Sequence, residues 1–240
     1  MSKTFTYLSF IAFLFLVSPS CNYRRVEGSG VQTSLSVAIE KANKIHLKTF
    51  CDVEITQGTT TSVVIEGDDN IVPLIRVKRR EGVVVIDTEE KVNIQTEKRL
   101  VVKITTPMLE LVELSGSGDI VGMNKFTASD RLKVKVTGSG KIQLEVNTPE
   151  IVSTLVGSGD IALAGETKDA TIKITGSGNY VATNLKTENS KVEINGSGDA
   201  KLFADNNLDV DISGSGNVYY KGNANIAKRI GGSGEIIKQP

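Results

Sequence analysis

The triplet Gly-Ser-Gly recurs seven times in the second half of the chain at a nearly fixed spacing. Successive copies are 22, 19, 19, 20, 18 and 18 residues apart. Self-similarity at such a period is typical of stacked repeats, in which each coil buries its apolar side chains against its neighbours. The spacing therefore predicts a solenoid over residues 109–240. An eighth copy, Gly28-Ser29-Gly30, lies far upstream and outside this period.

Apolar residues flank every triplet at fixed offsets. Two positions before the first glycine stand Leu114, Val136, Leu155, Ile174, Ile194, Ile212 and Ile230. Two positions after the closing glycine stand Ile120, Ile142, Ile161, Tyr180, Ala200, Val218 and Ile236. A third column, four positions before the triplet, is apolar except at Ser153 and Lys228. This alternation predicts a strand entering and a strand leaving each corner, with coils stacked as parallel strands about 4.8 Å apart.

The glycines of the triplets are predicted to be structural turns. A sharp corner needs a positive φ or a close approach of two backbones, and glycine permits both. The turn residues are Gly116, Gly118, Gly138, Gly140, Gly157, Gly159, Gly176, Gly178, Gly196, Gly198, Gly214, Gly216, Gly232 and Gly234. The serine between each pair can bond to the turn backbone or to the serine one coil away, so the serines predict a ladder along the corner.

The residue after each triplet bears on metal binding. This column reads Asp119, Lys141, Asp160, Asn179, Asp199, Asn217 and Glu235, with no two acidic residues adjacent. A calcium ion takes six to eight oxygen ligands, and calcium-binding β-rolls have a nine-residue period that this chain lacks. We therefore expect neither a metal site nor a cofactor.

Residues typical of catalysis are sparse. The single histidine, His46, falls on the polar face of a predicted strand with Lys48 and Glu54, and no partner for it is evident in the sequence. The chain has no Trp, and Tyr219 is the best candidate for an exposed aromatic contact. We assign no catalytic residue. The 28 basic and 28 acidic residues give no electrostatic case for nucleic-acid binding.

The first 20 residues read as a signal peptide. The apolar run Leu8 to Val17 is shorter than a membrane span and ends in Ser18-Pro19-Ser20-Cys21, which resembles a lipobox. We expect Cys21 to be lipidated, with residues 21–34 as a tether; an ordinary secretory signal is the alternative. Asn22, directly after the cysteine, favours sorting to the outer membrane, and the sequence does not decide which side of that membrane the protein faces. The other cysteine, Cys51, lies on an apolar strand face and is predicted to be buried.

The upstream half, residues 35–108, predicts strands of uneven length without a period. Strands are expected at 45–55, 62–66, 83–87 and 99–105, and residues 37–43 are ambiguous between strand and helical turn. The whole of 35–240 is thus predicted to be all-β, with an irregular half at 35–108 followed by the repeat solenoid at 109–240.

The chain resembles the auto-transporter adhesin "head GIN domain" family of bacterial envelope proteins, common as lipoproteins in the Bacteroidetes. The motifs that carry the resemblance are Gly28-Ser29-Gly30, residues 50–58 (FCDVEITQG), residues 64–71 (VIEGDDNI) and residues 114–120 (LSGSGDI) with their successors. The resemblance implies a right-handed parallel β-solenoid, with oligomerisation open. It implies no catalytic residues.

Two functional hypotheses follow from the sequence. The leading one is a non-enzymatic adhesin or scaffold of the cell envelope, held to the membrane by its N-terminal lipid, which binds an envelope component or a glycan and can self-associate. The alternative is a polysaccharide-processing β-helix enzyme, which would need two or three carboxylates and a basic residue converging in one groove.

Overall fold

The computed structural model describes residues 23–127 and 129–240, which form a parallel β-solenoid. The predicted signal peptide and Cys21 lie outside these residues. One sheet of 18 strands follows the solenoid, and a separate pair of strands lies at its N-terminal end. The prediction of an all-β parallel solenoid is confirmed.

The repeat half forms two parallel ladders that meet at the Gly-Ser-Gly corners. Its strands are β10 (Leu111–Leu114), β11 (Ile120–Phe126), β12 (Arg131–Gly138), β13 (Lys141–Gly157), β14 (Asp160–Gly176), β15 (Asn179–Gly196), β16 (Ala200–Phe203), β17 (Asn207–Gly214), β18 (Val218–Lys221), β19 (Asn225–Gly232) and β20 (Ile236–Lys238). The entering ladder contains β10, β12, β17 and β19, and the leaving ladder contains β11, β16, β18 and β20. The long strands β13, β14 and β15 contribute to both ladders.

The predicted apolar columns point into the core through six coils. In the column before the triplet, every residue from Leu114 to Ile212 is buried, and so is every residue after the triplet from Ile120 to Val218. The seventh coil differs, because no coil covers it. Its Ile230 is 38% exposed and all of β19 is exposed.

The stack begins earlier than the triplets indicate. The upstream strands are β1 (Arg24–Glu27), β2 (Gln32–Val37), β3 (Lys44–Leu47), β4 (Asp52–Gln57), β5 (Ser62–Asp68), β6 (Ile75–Arg80), β7 (Val83–Thr88), β8 (Val92–Gln95) and β9 (Val101–Thr106). β10 pairs with β3 and β11 pairs with β4, so residues 44–57 form a true coil. Residues 49–51, Thr-Phe-Cys, occupy its corner. The single strand predicted at 45–55 is therefore wrong, because that corner divides it in two.

The region predicted as an irregular half contains a further coil and a cap. β7 pairs with β3 and β9 pairs with β4, both parallel, so a second coil lies beneath the first. Antiparallel strands then end the stack: β6 pairs with β7, β5 pairs with β9, and β2 pairs with β5. A 3-10 turn at Val72–Leu74 connects β5 to β6. Antiparallel neighbours supply the hydrogen bonds that an open end would leave unpaired.

Much of the segment predicted as a tether is folded. β1 begins at Arg24 and pairs in parallel with β8, and β2 begins at Gln32. Between them, the upstream triplet packs on the turn after β5: the Ser29 backbone N–H donates to Asn70 Oδ1 at 3.0 Å, and Ser29 Oγ donates to Asp69 Oδ1 at 2.5 Å. The eighth Gly-Ser-Gly is thus a loop fastened to the cap, and it makes no corner of the stack.

Three hydroxyl groups are buried in the repeat core without a hydrogen-bond partner. They belong to Ser153, Tyr180 and Ser190. Tyr180 occupies the apolar column after the triplet and is 1% exposed, and this burial raises the pKa of its hydroxyl. An unpaired hydroxyl in an apolar core costs free energy. The apolar ring of Tyr180 therefore contributes to the core, and the side chain of Ser153 is the neighbour that its hydroxyl can bond.

Candidate functional site

The two glycines of a triplet serve the corner in different ways. The first glycine has a positive φ in every copy from Gly138 to Gly232, as at Gly138 with φ 140°. The closing glycine packs directly against the backbone of the preceding coil. A Cβ at Gly140 would stand 2.2 Å from the carbonyl oxygen of Gly118, a distance at which no side chain fits. The triplets are therefore turns that allow the coils to stack.

The serine ladder is mostly a main-chain ladder. The triplet serines are exposed, and the structure shows one bond between their hydroxyls, from Ser233 Oγ to Ser215 Oγ at 3.1 Å. Along the rest of the corner, serine N–H groups donate to the carbonyl of the first glycine one coil earlier, as Ser158 does to Gly138 at 3.0 Å. The hydroxyls thus contribute little to the corner.

The column after the triplets is also structural. Asp119 Oδ1 accepts from the Lys141 backbone N–H at 2.9 Å, and Asp199 Oδ1 accepts from that of Asn217 at 2.8 Å. The inference that no two acidic residues are neighbours in this column is wrong at one position. The upstream coil places Asp52 next to Asp119. The Asp119 N–H donates to Asp52 Oδ1 at 3.2 Å, and the Arg99 guanidinium lies 3.7 Å from Asp52.

His46 has partners that the sequence did not reveal. Its Nε2 lies 2.8 Å from Ser115 Oγ, and its Nδ1 lies 3.9 Å from Glu113. Burial lowers the pKa of His46 more than the nearby carboxylate of Glu113 raises it. Glu113 also forms an ion pair with Lys135, at 2.7 Å. The 3.9 Å between the Glu113 carboxylate and His46 Nδ1 is too long for a hydrogen bond. These four side chains form a polar cluster on the outer face of the entering ladder.

Tyr219, the candidate for an exposed aromatic contact, and Cys51, the free thiol, are both at least partly buried. Tyr219 is half-buried, and Lys201 Nζ lies 5.7 Å from its ring centroid, a cation–π distance. Cys51 is buried as predicted, and burial raises the pKa of its thiol to about 12. Within residues 23–127 and 129–240, no group of three or more His, Cys, Asp or Glu side chains could hold a metal ion.

An open groove on the leaving ladder is the best candidate for a binding surface. On β14, the short side chains Ala162 and Ala164 face outwards between longer neighbours. We call this depression, of about 370 Å³, the bulge groove; its half-buried and exposed lining residues are Gly122, Gln143, Glu145, Ala162, Ala164, Val181, Thr183 and Asn184.

Two irregularities of register shape the bulge groove. β15 has one residue more than β14 between the pairs Ala162–Val181 and Ala164–Asn184. β11 has two extra residues between its pairings with Gln143 and Glu145. Bulges of this kind bend a strand and redirect its side chains, and they are common beside binding sites.

The chemistry of the bulge groove suits recognition better than acid–base catalysis. It contains one carboxylate, Glu145, which pairs with Lys125 at 3.0 Å. Its other polar groups are the amides of Gln143 and Asn184 and the hydroxyl of Thr183. These groups donate and accept hydrogen bonds without charge. The bulge groove lacks the converging carboxylates that the polysaccharide-processing hypothesis requires.

A second polar groove lies at the N-terminal end, beside the upstream triplet. It has a volume of about 430 Å³ and is lined by Arg25, Asp68, Gln95, Thr96 and Lys98 among others. Its buried carboxylate, Asp68, accepts hydrogen bonds from Thr96 Oγ1 at 2.7 Å and from Gln32 Nε2 at 3.0 Å. Those bonds join the loop around β8 to β5 and β2, so the polar groups of this groove hold the cap together.

Known structures share this fold. The chain is similar to a "putative adhesin" from Bacteroides fragilis, with 24% identity, a TM-score of 0.80, and coverage of 89% of this chain and 100% of that one. It is also similar to a "putative lipid binding protein" from Parabacteroides distasonis, at 23% identity and a TM-score of 0.74, and to a "putative adhesin" from Parabacteroides merdae, at 21% and 0.69. Each of these two alignments covers 90% of this chain and 100% of the other.

No curated protein matches the chain. In the part of the chain that the structure describes, no helix is long and apolar enough to cross a membrane. The family "Putative auto-transporter adhesin, head GIN domain" matches residues 42–224. That stretch runs from just before β3 to just before β19, and the chain therefore belongs to the head GIN domain family.

Proposed function

We propose that this protein is a non-enzymatic, lipid-anchored adhesin of the cell envelope and that the bulge groove contacts its ligand. The proposal draws on membership of an adhesin family and on the role of the recurring residues. The triplet glycines and the aspartates that follow them all serve the stack. The bulge groove, on the outer face of the leaving ladder, is lined by other residues.

The observation that carries the proposal is the composition of the bulge groove. Amide and hydroxyl groups are the usual partners of sugar hydroxyls, and shallow small-residue floors admit a ring between them. Gln143, Thr183 and Asn184 supply such groups beside Ala162 and Ala164. A neutral glycan of the envelope or of a host surface is the ligand class that this arrangement fits.

A substitution that fills the bulge groove tests the adhesive role. Ala162→Arg places a long side chain between Gln143 and Val181, its neighbours in the adjacent coils. We expect it to abolish adhesion of cells that display the protein, and to abolish binding on a glycan array. Asn184→Ala removes one amide without filling the bulge groove and should weaken binding by about tenfold, the loss expected for one hydrogen bond of about 1–1.5 kcal/mol.

The matched control is Thr171→Arg. Thr171 is exposed on the same strand, β14, where that strand belongs to the entering ladder, so the added charge and length are the same on another face. Equal loss in both variants, with unchanged circular dichroism, would contradict a role for the bulge groove. If the unmodified protein binds no glycan, cell or envelope component, the adhesive role is wrong and a scaffold role takes its place.

The lipid anchor is a separate part of the proposal. It is supported by the apolar run that ends at Cys21 and by Asn22 after it, which favours the outer membrane. Cys21→Ala should release the protein from the membrane fraction and should abolish incorporation of radiolabelled palmitate. Retention of the Cys21→Ala protein in membranes would exclude the anchor. Surface biotinylation of intact cells identifies the side that the solenoid faces, and sedimentation equilibrium measures self-association.

A further inference from the structure

The N-terminal end of the stack carries a strand of exposed cations. β6 is the outermost strand of the entering ladder, and among the described strands it pairs with β7 alone. Its inward residues Ile75 and Val77 are buried, whereas Arg76, Lys78, Arg79 and Arg80 are exposed. Across the described residues, Arg76 is the one residue of β6 that forms an ion pair, with Glu89 at 3.9 Å. β6 itself therefore carries four cations, with Asp87 opposite Arg76 on the paired strand and Glu89 just after that strand.

The start of the folded chain lies beside this basic strand. The Glu89 carboxylate is 3.7 Å from Arg24 as well as 3.9 Å from Arg76, and the Arg24 backbone N–H donates to the Lys91 carbonyl at 2.8 Å. β1 begins at Arg24, three residues after Cys21. Three residues of extended chain span about 10 Å at most. A lipid on Cys21 would therefore hold β6 within a short distance of the bilayer.

We propose that the basic strand β6 docks on an anionic phospholipid surface, the one in which the protein's own lipid is inserted. The inference rests on the lipid anchor of the proposed function. Anionic headgroups attract Lys and Arg near the surface, with each residue strengthening the contact about fivefold. Tyr23, which is 60% exposed, is of the residue type favoured at the interface. Charged residues also protect an edge strand from aggregation, but that role needs no particular lipid.

Docking leaves the bulge groove accessible. Five strand intervals separate β6 from the coil level of Ala162, so the bulge groove lies about 24 Å from β6 along the stack. A contact confined to β6 and the cap therefore does not cover the bulge groove.

Lysine footprinting on vesicles tests the docking. The full chain, with the lipid on its N-terminus, is inserted into vesicles of phosphatidylcholine alone or of phosphatidylcholine with phosphatidylglycerol. A reagent that acylates lysine side chains is then added. We expect Lys78 to react several-fold more slowly on the anionic vesicles, and Lys191, on a distal coil, to react equally on both. High salt should restore the reactivity of Lys78, because it screens the attraction. Equal reactivity of Lys78 on the two vesicle types would overturn the proposal.

Paired substitutions separate docking from anchoring. Arg79→Gln with Arg80→Gln should weaken the docked state about 30-fold and remove the lipid dependence of Lys78, while the protein still floats with the vesicles. Lys133→Gln with Lys168→Gln removes two exposed cations from other coils and should leave the footprint unchanged. Failure of the unsubstituted protein to float would refute the lipid anchor. Flotation without a footprint would refute docking alone.

Discussion

Three glycine-to-alanine substitutions separate the two physical reasons for glycine in this fold. At Gly159 the φ is one that other residues adopt, but a Cβ would lie 2.4 Å from the Gly140 carbonyl oxygen and 2.8 Å from Val136 Cγ1. At Gly30 the reverse holds: φ is +78° and no atom lies within 4 Å. At Gly231 neither constraint applies, since the nearest atom is 3.8 Å away and φ is unrestricted.

The expected costs follow from these geometries. An alanine at Gly159 must push its neighbours back by about 1 Å to reach an ordinary contact, and overpacking of this kind costs about 1–3 kcal/mol. The displaced carbonyl of Gly140 also accepts a ladder hydrogen bond from the Asp160 N–H at 3.2 Å, which the shift would stretch. We therefore expect about 2–3 kcal/mol, or a Tm lower by about 4–12 °C.

The two comparison variants should behave differently. Gly30→Ala should cost about 1–2 kcal/mol through its backbone conformation alone. Gly231→Ala should leave stability unchanged or raise it by up to about 1 kcal/mol, because alanine restricts the unfolded chain. Thermal and urea unfolding followed by circular dichroism measure all three. If Gly159→Ala melts with the wild type, close packing of the coils is not the reason for the closing glycines.

Three further predictions concern groups with unusual surroundings. Tyr180→Phe removes a buried hydroxyl that lies beside the Ser153 side chain without forming a well-aligned hydrogen bond, so urea unfolding should show unchanged stability or a gain of up to about 1 kcal/mol; a loss above 1 kcal/mol would mean that the two hydroxyls are bonded. The pKa of His46 is lowered in the fold, so the unfolded chain binds its proton more readily and stability should fall as pH drops below 6.5. His46→Gln should flatten that dependence, and an unchanged slope would assign it to other groups. Cys51, with its pKa raised to about 12, should resist iodoacetamide at neutral pH until the protein is unfolded, whereas rapid alkylation of the native protein would show that the corner opens.

The sequence predicts the fold of the repeat half well, because the pattern that specifies this fold lies within each single repeat. Apolar residues at fixed offsets from each triplet determine which side chains point inwards, and Ile174 or Ile194 could be assigned to the core from position alone. The first coil was missed because Thr49, Phe50 and Cys51 replace the triplet. A signal was present: Leu47 and Val53 are separated by the same number of residues as Leu114 and Ile120.

The order in which the two upstream coils stack could not be predicted from a local repeat pattern. The coil that contains β7 and β9 comes later in the chain than the coil of β3 and β4, yet it lies beneath it. Pairing across such distances depends on which edges remain free after the antiparallel cap forms, and no local period encodes it. The same reason explains why the partners of His46, Ser115 and Glu113, were not found, since they belong to a coil about 70 residues away.

The bulge groove left a trace in the spacing of the triplets. The interval of 20 residues between Gly176 and Gly196 exceeds the 19 before it by the one extra residue that β15 inserts opposite Ala164. The interval of 22 after Gly116 contains the two extra residues of β11. Irregular intervals in a repeat therefore mark the coils whose faces are reshaped. The residues at those bulges could be predicted, but the depression at Ala162 required the register between coils.

The two ends of the stack explain why a side face is the better place for ligand contact. The N-terminal end is capped by antiparallel strands, and its outermost strand of the entering ladder, β6, carries four exposed cations, which oppose edge-to-edge pairing. The C-terminal end is open, with Ile226 40% exposed and Ile230 38% exposed on β19. Lys228 stands between them in a column that is apolar or small in every other coil of the repeat. In an antiparallel pairing of two copies that sets Ile226 against Ile230, each Lys228 would face the other, and like charges directly opposite one another destabilise a ladder. The open end is thus protected against self-pairing in that register, and the specific contacts of this protein are expected along its length.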